Sequence, residues 1–269
     1  MKPIFLNPIV KAVAKTILFC ASFLVLLISL SFSNSLVSHE FARLSYGVLG
    51  VIAALLTTTV FLRIDRLSFS AIGFIFNGAT IKSFIQGSFI GILIMGLLSY
   101  GVIAAAGFKI VLNTENSFSK FFLGAIPILL LAYMEEIAFR GYPLYLLKDK
   151  LGARSNLLFT SLLFSLYHIA NGWAIQDAFL GPGSWGLIFG LAALYTNGIA
   201  MPTGIHFAVN LTTSAFGVSG NSFNIWILRQ KNGASLIDYK SSALATLIPQ
   251  ICVLVLAIIL MEIYVRKKM

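Results

Sequence analysis

Leu130-Leu131-Ala132-Tyr133-Met134-Glu135-Glu136-Ile137-Ala138-Phe139-Arg140-Gly141 puts two carboxylates and a guanidinium inside an otherwise apolar run. An ionisable residue in the middle of a membrane span costs about 2.5 to 3.5 kcal/mol on insertion scales, so it faces the bundle interior and has a purpose there. Glu136 and Arg140 stand at i and i+4 and meet on one helical face. Glu135 points about 100° away from Glu136 under the 3.6-residue period and is left without that partner. The stretch therefore indicates a helix in lipid and raises the question of what the helix is for.

The sequence around it supports the membrane setting. Of 269 residues, 58% are hydrophobic and only 10% charged, far from the roughly one-quarter charged usage of soluble domains. A bilayer core of about 30 Å takes roughly 20 apolar residues per helical span. Apolar runs lie near residues 15–32, 44–62, 84–107, 126–147, 156–173, 185–195, 199–216 and 244–264. The expected fold is all-α, a multi-pass transmembrane bundle of about eight spans. Residues 1–269 would form a single transmembrane domain, with a catalytic motif core at 119–217. The sixth run is too short to cross a bilayer unaided, and Asn197-Gly198 breaks it from the seventh, as expected of a short or tilted pair beside a cavity. Residues 217–242 read as the one long polar loop, mobile or lid-forming.

The net charge of +10 comes from basic residues placed singly in loops and at the two ends. That distribution fits a membrane surface and gives no basis for nucleic-acid binding. With both termini cytoplasmic, twelve Lys and Arg fall inside and six outside, Arg140 lying within a span; a plasma-membrane protein in this orientation is expected. The first apolar run is longer than the h-region of a signal peptide, and residues 31–38 form only a weak cleavage pattern, so it reads as a retained helix. Cys20 and Cys252 lie far apart in apolar runs and read as packing or lipid-facing residues.

Two other spans carry polar groups. The fifth contains Phe164-Ser165-Leu166-Tyr167-His168, and the seventh His206-Phe207-Ala208-Val209-Asn210, with His206 and Asn210 again at i and i+4. His39, beside Glu40, reads as a surface residue. At about 1.5 Å per residue, Glu135, His168 and His206 fall at similar depth if the fourth helix continues through Arg140 to about Leu147, with Gly141 and Pro143 kinking it. Taken singly, Glu136 and Arg140 would make a structural ion pair, and a lone membrane histidine a helix-to-helix hydrogen bond. Two Glu, one Arg, two His and one Asn in three neighbouring spans look instead like a site.

At these residues the chain resembles the type II CAAX prenyl endopeptidases, also called the CAAX protease and bacteriocin-processing family of intramembrane proteases. The Glu-Glu-x-x-x-Arg pattern falls on Glu135, Glu136 and Arg140, Phe-x-x-x-His on Phe164 and His168, and His-x-x-x-Asn on His206 and Asn210. The resemblance runs from about residue 121 to 216. It implies hydrolysis of a peptide bond in a peptide or membrane-anchored protein substrate, with a Glu and a His holding the attacking water and the second His and Asn facing the oxyanion. The residues themselves agree, since a carboxylate in a low-dielectric pocket suits a general base and His206 and Asn210 can donate to an oxyanion. Glu135 is the expected base because Arg140 holds Glu136.

The family's metalloprotease label would place a zinc ion on Glu135, His168 and His206. The absence of a His-Glu-x-x-His pair favours a glutamate-activated water with no metal cofactor. Two rival readings are a proton-coupled transporter and a non-catalytic adaptor or bacteriocin immunity protein. The transporter reading is weakened because the polar residues form one cluster and not two matching halves.

Overall fold

The computed structural model describes residues 7–105, 108–217, 224–230 and 243–268. Helix α1, Pro8–Ser31, starts where Asn7 Oδ1 accepts from the Ile9 amide at 2.9 Å and Pro8 occupies the first turn, a pairing that satisfies orphan donors and presets the backbone. Helices α2, His39–Asp65, and α3, Gly78–Ala105, follow. Helix α4, Phe118–Glu136, is capped by Ser117, whose Oγ accepts from the Lys120 amide. It leads directly into a π-helical segment, Ile137–Gly141, and then, past a non-helical ψ of −109° at Gly141, into α5, Tyr142–Ala170.

Six helical stretches among the described residues are long and apolar enough to cross a bilayer. One of them, Phe118–Ala170, has 53 residues and would extend about 80 Å if straight. It is not straight. Gly152 adopts φ 69°, ψ 167°, and Asn156 Nδ2 donates to the Leu144 carbonyl at 2.9 Å; twelve residues apart, these groups would stand about 18 Å apart along one helix. The chain therefore reverses at Gly152, and the stretch makes two crossings. Adding α8, Ala200–Ala215, which is only 16 residues long, gives about eight passes, as the sequence indicates.

The sixth pass is longer than its sequence implies. Helix α6, Ile175–Ala178, a second π-helical segment, Phe179–Gly183, and α7, Ser184–Thr196, run end to end, and the stretch Ile175–Thr196 has the length and apolarity to span. Gly181, Pro182 and Gly183 resemble a terminator in sequence. In the fold the π turn absorbs the proline, whose missing N–H is tolerated where the helical ladder is already irregular.

The loop at 217–242 also differs from a plain loop. Its residues Trp226–Gln230 form β2, which pairs antiparallel with β1, Phe108–Leu112, in the register Phe108 to Gln230 through Leu112 to Trp226. Both strands are rich in aromatic and β-branched residues, which favours this pairing, so the all-α bundle carries one small sheet. Residues 218–223 and 231–242, on which the lid reading falls, lie outside the described residues. Helix α9, Ala243–Lys268, completes the chain.

Among the spanning stretches, the one that carries the first two motifs and the sixth pass beside it are the most buried. Half of the most apolar window of Phe118–Ala170 and 61% of that of Ile175–Thr196 are buried, against 17% for α3 and for Leu247–Lys268. Helix α8 is drawn close to α3 by small residues. A Cβ on Gly87 would lie 2.2 Å from the Met201 carbonyl, and one on Gly204 2.2 Å from that of Phe84; such close backbone approach is how helices associate where lipid gives no hydrophobic drive.

Candidate active site

Glu136 is fully buried and Arg140 nearly so. Arg140 Nη1 donates to Glu136 Oε1 at 3.4 Å, and Nη2 donates to the Gly186 carbonyl of α7 at 3.2 Å. The guanidinium lies over the Phe164 ring, 4.1 Å from its centroid, with Phe189 5.4 Å away on α7, an arrangement that offsets part of the cost of removing the cation from water. The Gly186 contact was not legible in the sequence. Its only trace is a glycine in an apolar helix, and a Cβ there would stand 3.1 Å from Arg140 Nη2.

Glu136 also joins the second histidine. His206 Nδ1 lies 2.8 Å from Glu136 Oε1; because Glu136 already accepts from Arg140, Nδ1 is the donor. His206 Nε2 then faces Glu135 Oε2 at 3.6 Å, beyond hydrogen-bond length. Phe189 stacks on the His206 ring, with centroids 4.5 Å apart and planes 15° apart, and fixes its plane. Glu135, 13% exposed at its side chain, is thus the more open of the two carboxylates, in line with the partner argument from sequence.

His168 is held differently. Its Nδ1 donates to the Phe164 carbonyl at 2.9 Å, which leaves Nε2 with a free lone pair. Phe164, Tyr167 and Trp173 surround its ring edge-on, with centroids at 4.6, 5.2 and 5.3 Å. Phe164 therefore has two functions, supporting Arg140 with its ring face and orienting His168 with its backbone. Tyr167 and Tyr46 of α2 lie within electrostatic reach of each other and of Glu135; nothing in residue type singles out Tyr46.

Five of the six residues expected from sequence, Glu135, Glu136, Arg140, His168 and His206, converge from α4, the π segment, α5 and α8. Asn210 stands one turn beyond His206 on α8 and is exposed; no hydrogen bond joins it to the other five. His39 is exposed at the start of α2.

The helices that hold this arrangement also match a known family. Residues 117–212 fit the model of the Rce1-like type II CAAX prenyl endopeptidases. The match covers about a third of the chain and runs from the α4 cap, through all three motifs, into α8. No curated protein matches the chain. The family implies a membrane-bound peptidase. Its metal label fits poorly here, because no three His, Cys, Asp or Glu side chains among the described residues are grouped so as to hold an ion. Glu135 and His206 face each other across 3.6 Å, but with His168 they do not form such a set.

Proposed function

We propose that the chain is an intramembrane endopeptidase of the CAAX-processing type, acting on a lipidated or membrane-anchored peptide with Glu135 as general base. The observation that carries this reading is the division of labour between the carboxylates. Glu136 is engaged by Arg140 and His206, whereas Glu135 has no hydrogen-bond partner among those groups and faces His206 across 3.6 Å. A water between Glu135 and His168 Nε2 gives one proton to Glu135 as its oxygen attacks the peptide carbonyl, and the other hydrogen points at His168. The proton on Glu135 then passes to the leaving amine, directly or by way of His206 Nε2, as the C–N bond breaks.

Glu136 holds His206 in one tautomer through Nδ1, as a buried carboxylate orients a catalytic imidazole elsewhere. Asn210 supplies amide N–H groups to the tetrahedral oxyanion without adding charge. The protein acts in the plasma membrane with both termini cytoplasmic, and it presents Lys148, Lys150 and Arg154, near the Gly152 turn, to the anionic inner leaflet.

The test is mass spectrometry of membrane peptides from cells producing the wild-type chain or Glu135→Ala. Truncated peptides that appear only with the wild type are expected. Identical peptide profiles would remove the peptidase reading.

A further inference from the structure

Outside the site, one cluster ties two helices, α1 and α2, to the segment that carries it. Asp65, at the end of α2, forms an ion pair with Lys15 of α1 through Oδ1 and accepts the Tyr142 hydroxyl through Oδ2 at 2.5 Å. Tyr142 is the first residue of α5 and fully buried. Its ring stacks on Phe19 at 5.1 Å and meets Phe61 edge-on at 5.5 Å. Two residues before it stands Arg140, and between them Gly141 takes ψ −109°, so the helical path is broken between the arginine and the tyrosine.

Glu136, the Gly186 carbonyl and the Phe164 ring hold the Arg140 side chain incompletely. The Arg140 to Glu136 contact is long at 3.4 Å, and Arg140 Nε and Glu136 Oε2 are buried with no hydrogen-bond partner among the described residues. A π-helical turn carries one residue more than the α-helix it interrupts and keeps that geometry only where its surroundings over-determine it. On the upstream side the Glu136 to His206 bond fixes the chain. On the downstream side no residue of the three motifs does so.

We propose that Tyr142 and Asp65 are positioning residues of the active site: the phenol-to-carboxylate bond sets the rotational phase of the chain after the π segment, and so places the Arg140 guanidinium between Glu136 and the Phe164 ring. Lys15 holds the Asp65 carboxylate toward Tyr142 and contributes less. The inference rests on the peptidase reading for its effect on turnover, but its structural content can be tested without it.

The first measurement is a double-mutant cycle in detergent melting temperature between Tyr142→Phe, which keeps the ring and removes only the hydroxyl, and Arg140→Met. The shift caused by Tyr142→Phe should shrink to less than half when Arg140 is absent, because residues in one network do not act additively. Equal shifts in the two backgrounds would overturn the proposal. The second uses a synthetic peptide ending in farnesyl-cysteine and three further residues. Tyr142→Phe should lower kcat roughly 10- to 100-fold, as misplaced catalytic groups do, with KM within about twofold. Asp65→Asn keeps an acceptor for the phenol and should restore most of the activity lost in Asp65→Leu, and Lys15→Met should stay near the wild type. Unchanged kcat in Tyr142→Phe would overturn the proposal, as would equal loss in Asp65→Asn and Asp65→Leu. If wild type and Glu135→Ala both leave this peptide intact, the peptidase reading fails for that substrate and the melting cycle alone decides the role of Tyr142.

Discussion

Two Arg–Glu pairs, one on each arm of the hairpin that turns at Gly152, differ in a way that their distances misrepresent. Arg154 grips Glu262 of α9 with two bonds of 2.7 and 2.6 Å, yet the two side chains remain 45% and 35% exposed. Arg140 and Glu136 stand 3.4 Å apart with both side chains fully buried. By length the first pair looks stronger. The energetic consequence of breaking either one depends on the medium: an exposed pair is screened and replaced by water, whereas a buried partner left alone keeps an uncompensated charge. The site is built from the long, dry pair.

The comparison is tested most severely at the site itself. Glu135→Ala and His168→Ala should each reduce cleavage at least about 100-fold, as removal of acid–base groups does, with the detergent melting temperature unchanged. Near-normal proteolysis by either purified variant would dissociate the polar cluster from catalysis. Arg140→Ala should cost about 3 to 5 kcal/mol of stability as well as activity, since Glu136 is left buried and unpaired. A melting curve that matches the wild type would show that the buried pair is no more consequential than the exposed one.

A steric counterpart lies at the α3 and α8 contact. Gly204→Ala places a Cβ against the Phe84 carbonyl, and overpacking of this kind costs about 1 to 3 kcal/mol; chemical denaturation should detect it, and full stability would mean that α3 can retreat from α8 without penalty. The smallest effect is expected from Glu262→Gln. It should leave the melting temperature indistinguishable from the wild type in high salt, and a clear loss there would mean that the surface pair is shielded from solvent.

The sequence disclosed those features that violate the rule of an apolar span. Glu135, Glu136, Arg140, His168 and His206 are conspicuous because charge inside lipid is costly, and the fold brings them together. Asn210 shared the spacing argument but is exposed on α8, since an i, i+4 relation fixes a face and not what covers it. The extra length of the sixth pass was hidden because Gly181-Pro182-Gly183 resembles a stop unless a π turn is foreseen. The strand at Trp226–Gln230 depends on a partner over a hundred residues away. The Gly186 carbonyl, like every backbone acceptor, has no signature in residue type, and Asp65 reads in sequence as an ordinary helix end.

The π segment Ile137–Gly141 has a consequence for insertions and deletions. Because such a turn amounts to an α-helix with one residue added, removing a single residue such as Ala138 would leave a regular helix that still crosses the membrane. Everything after it would keep roughly its phase, because a π turn spends about one residue more than an α turn on the same rotation; Tyr142 would stay beside Asp65 while the spacing of Glu136 and Arg140 fell from four residues to three. A one-residue deletion here should therefore leave the hairpin standing while disturbing the arginine, whereas the same deletion in a regular helix would turn everything beyond it by about 100°.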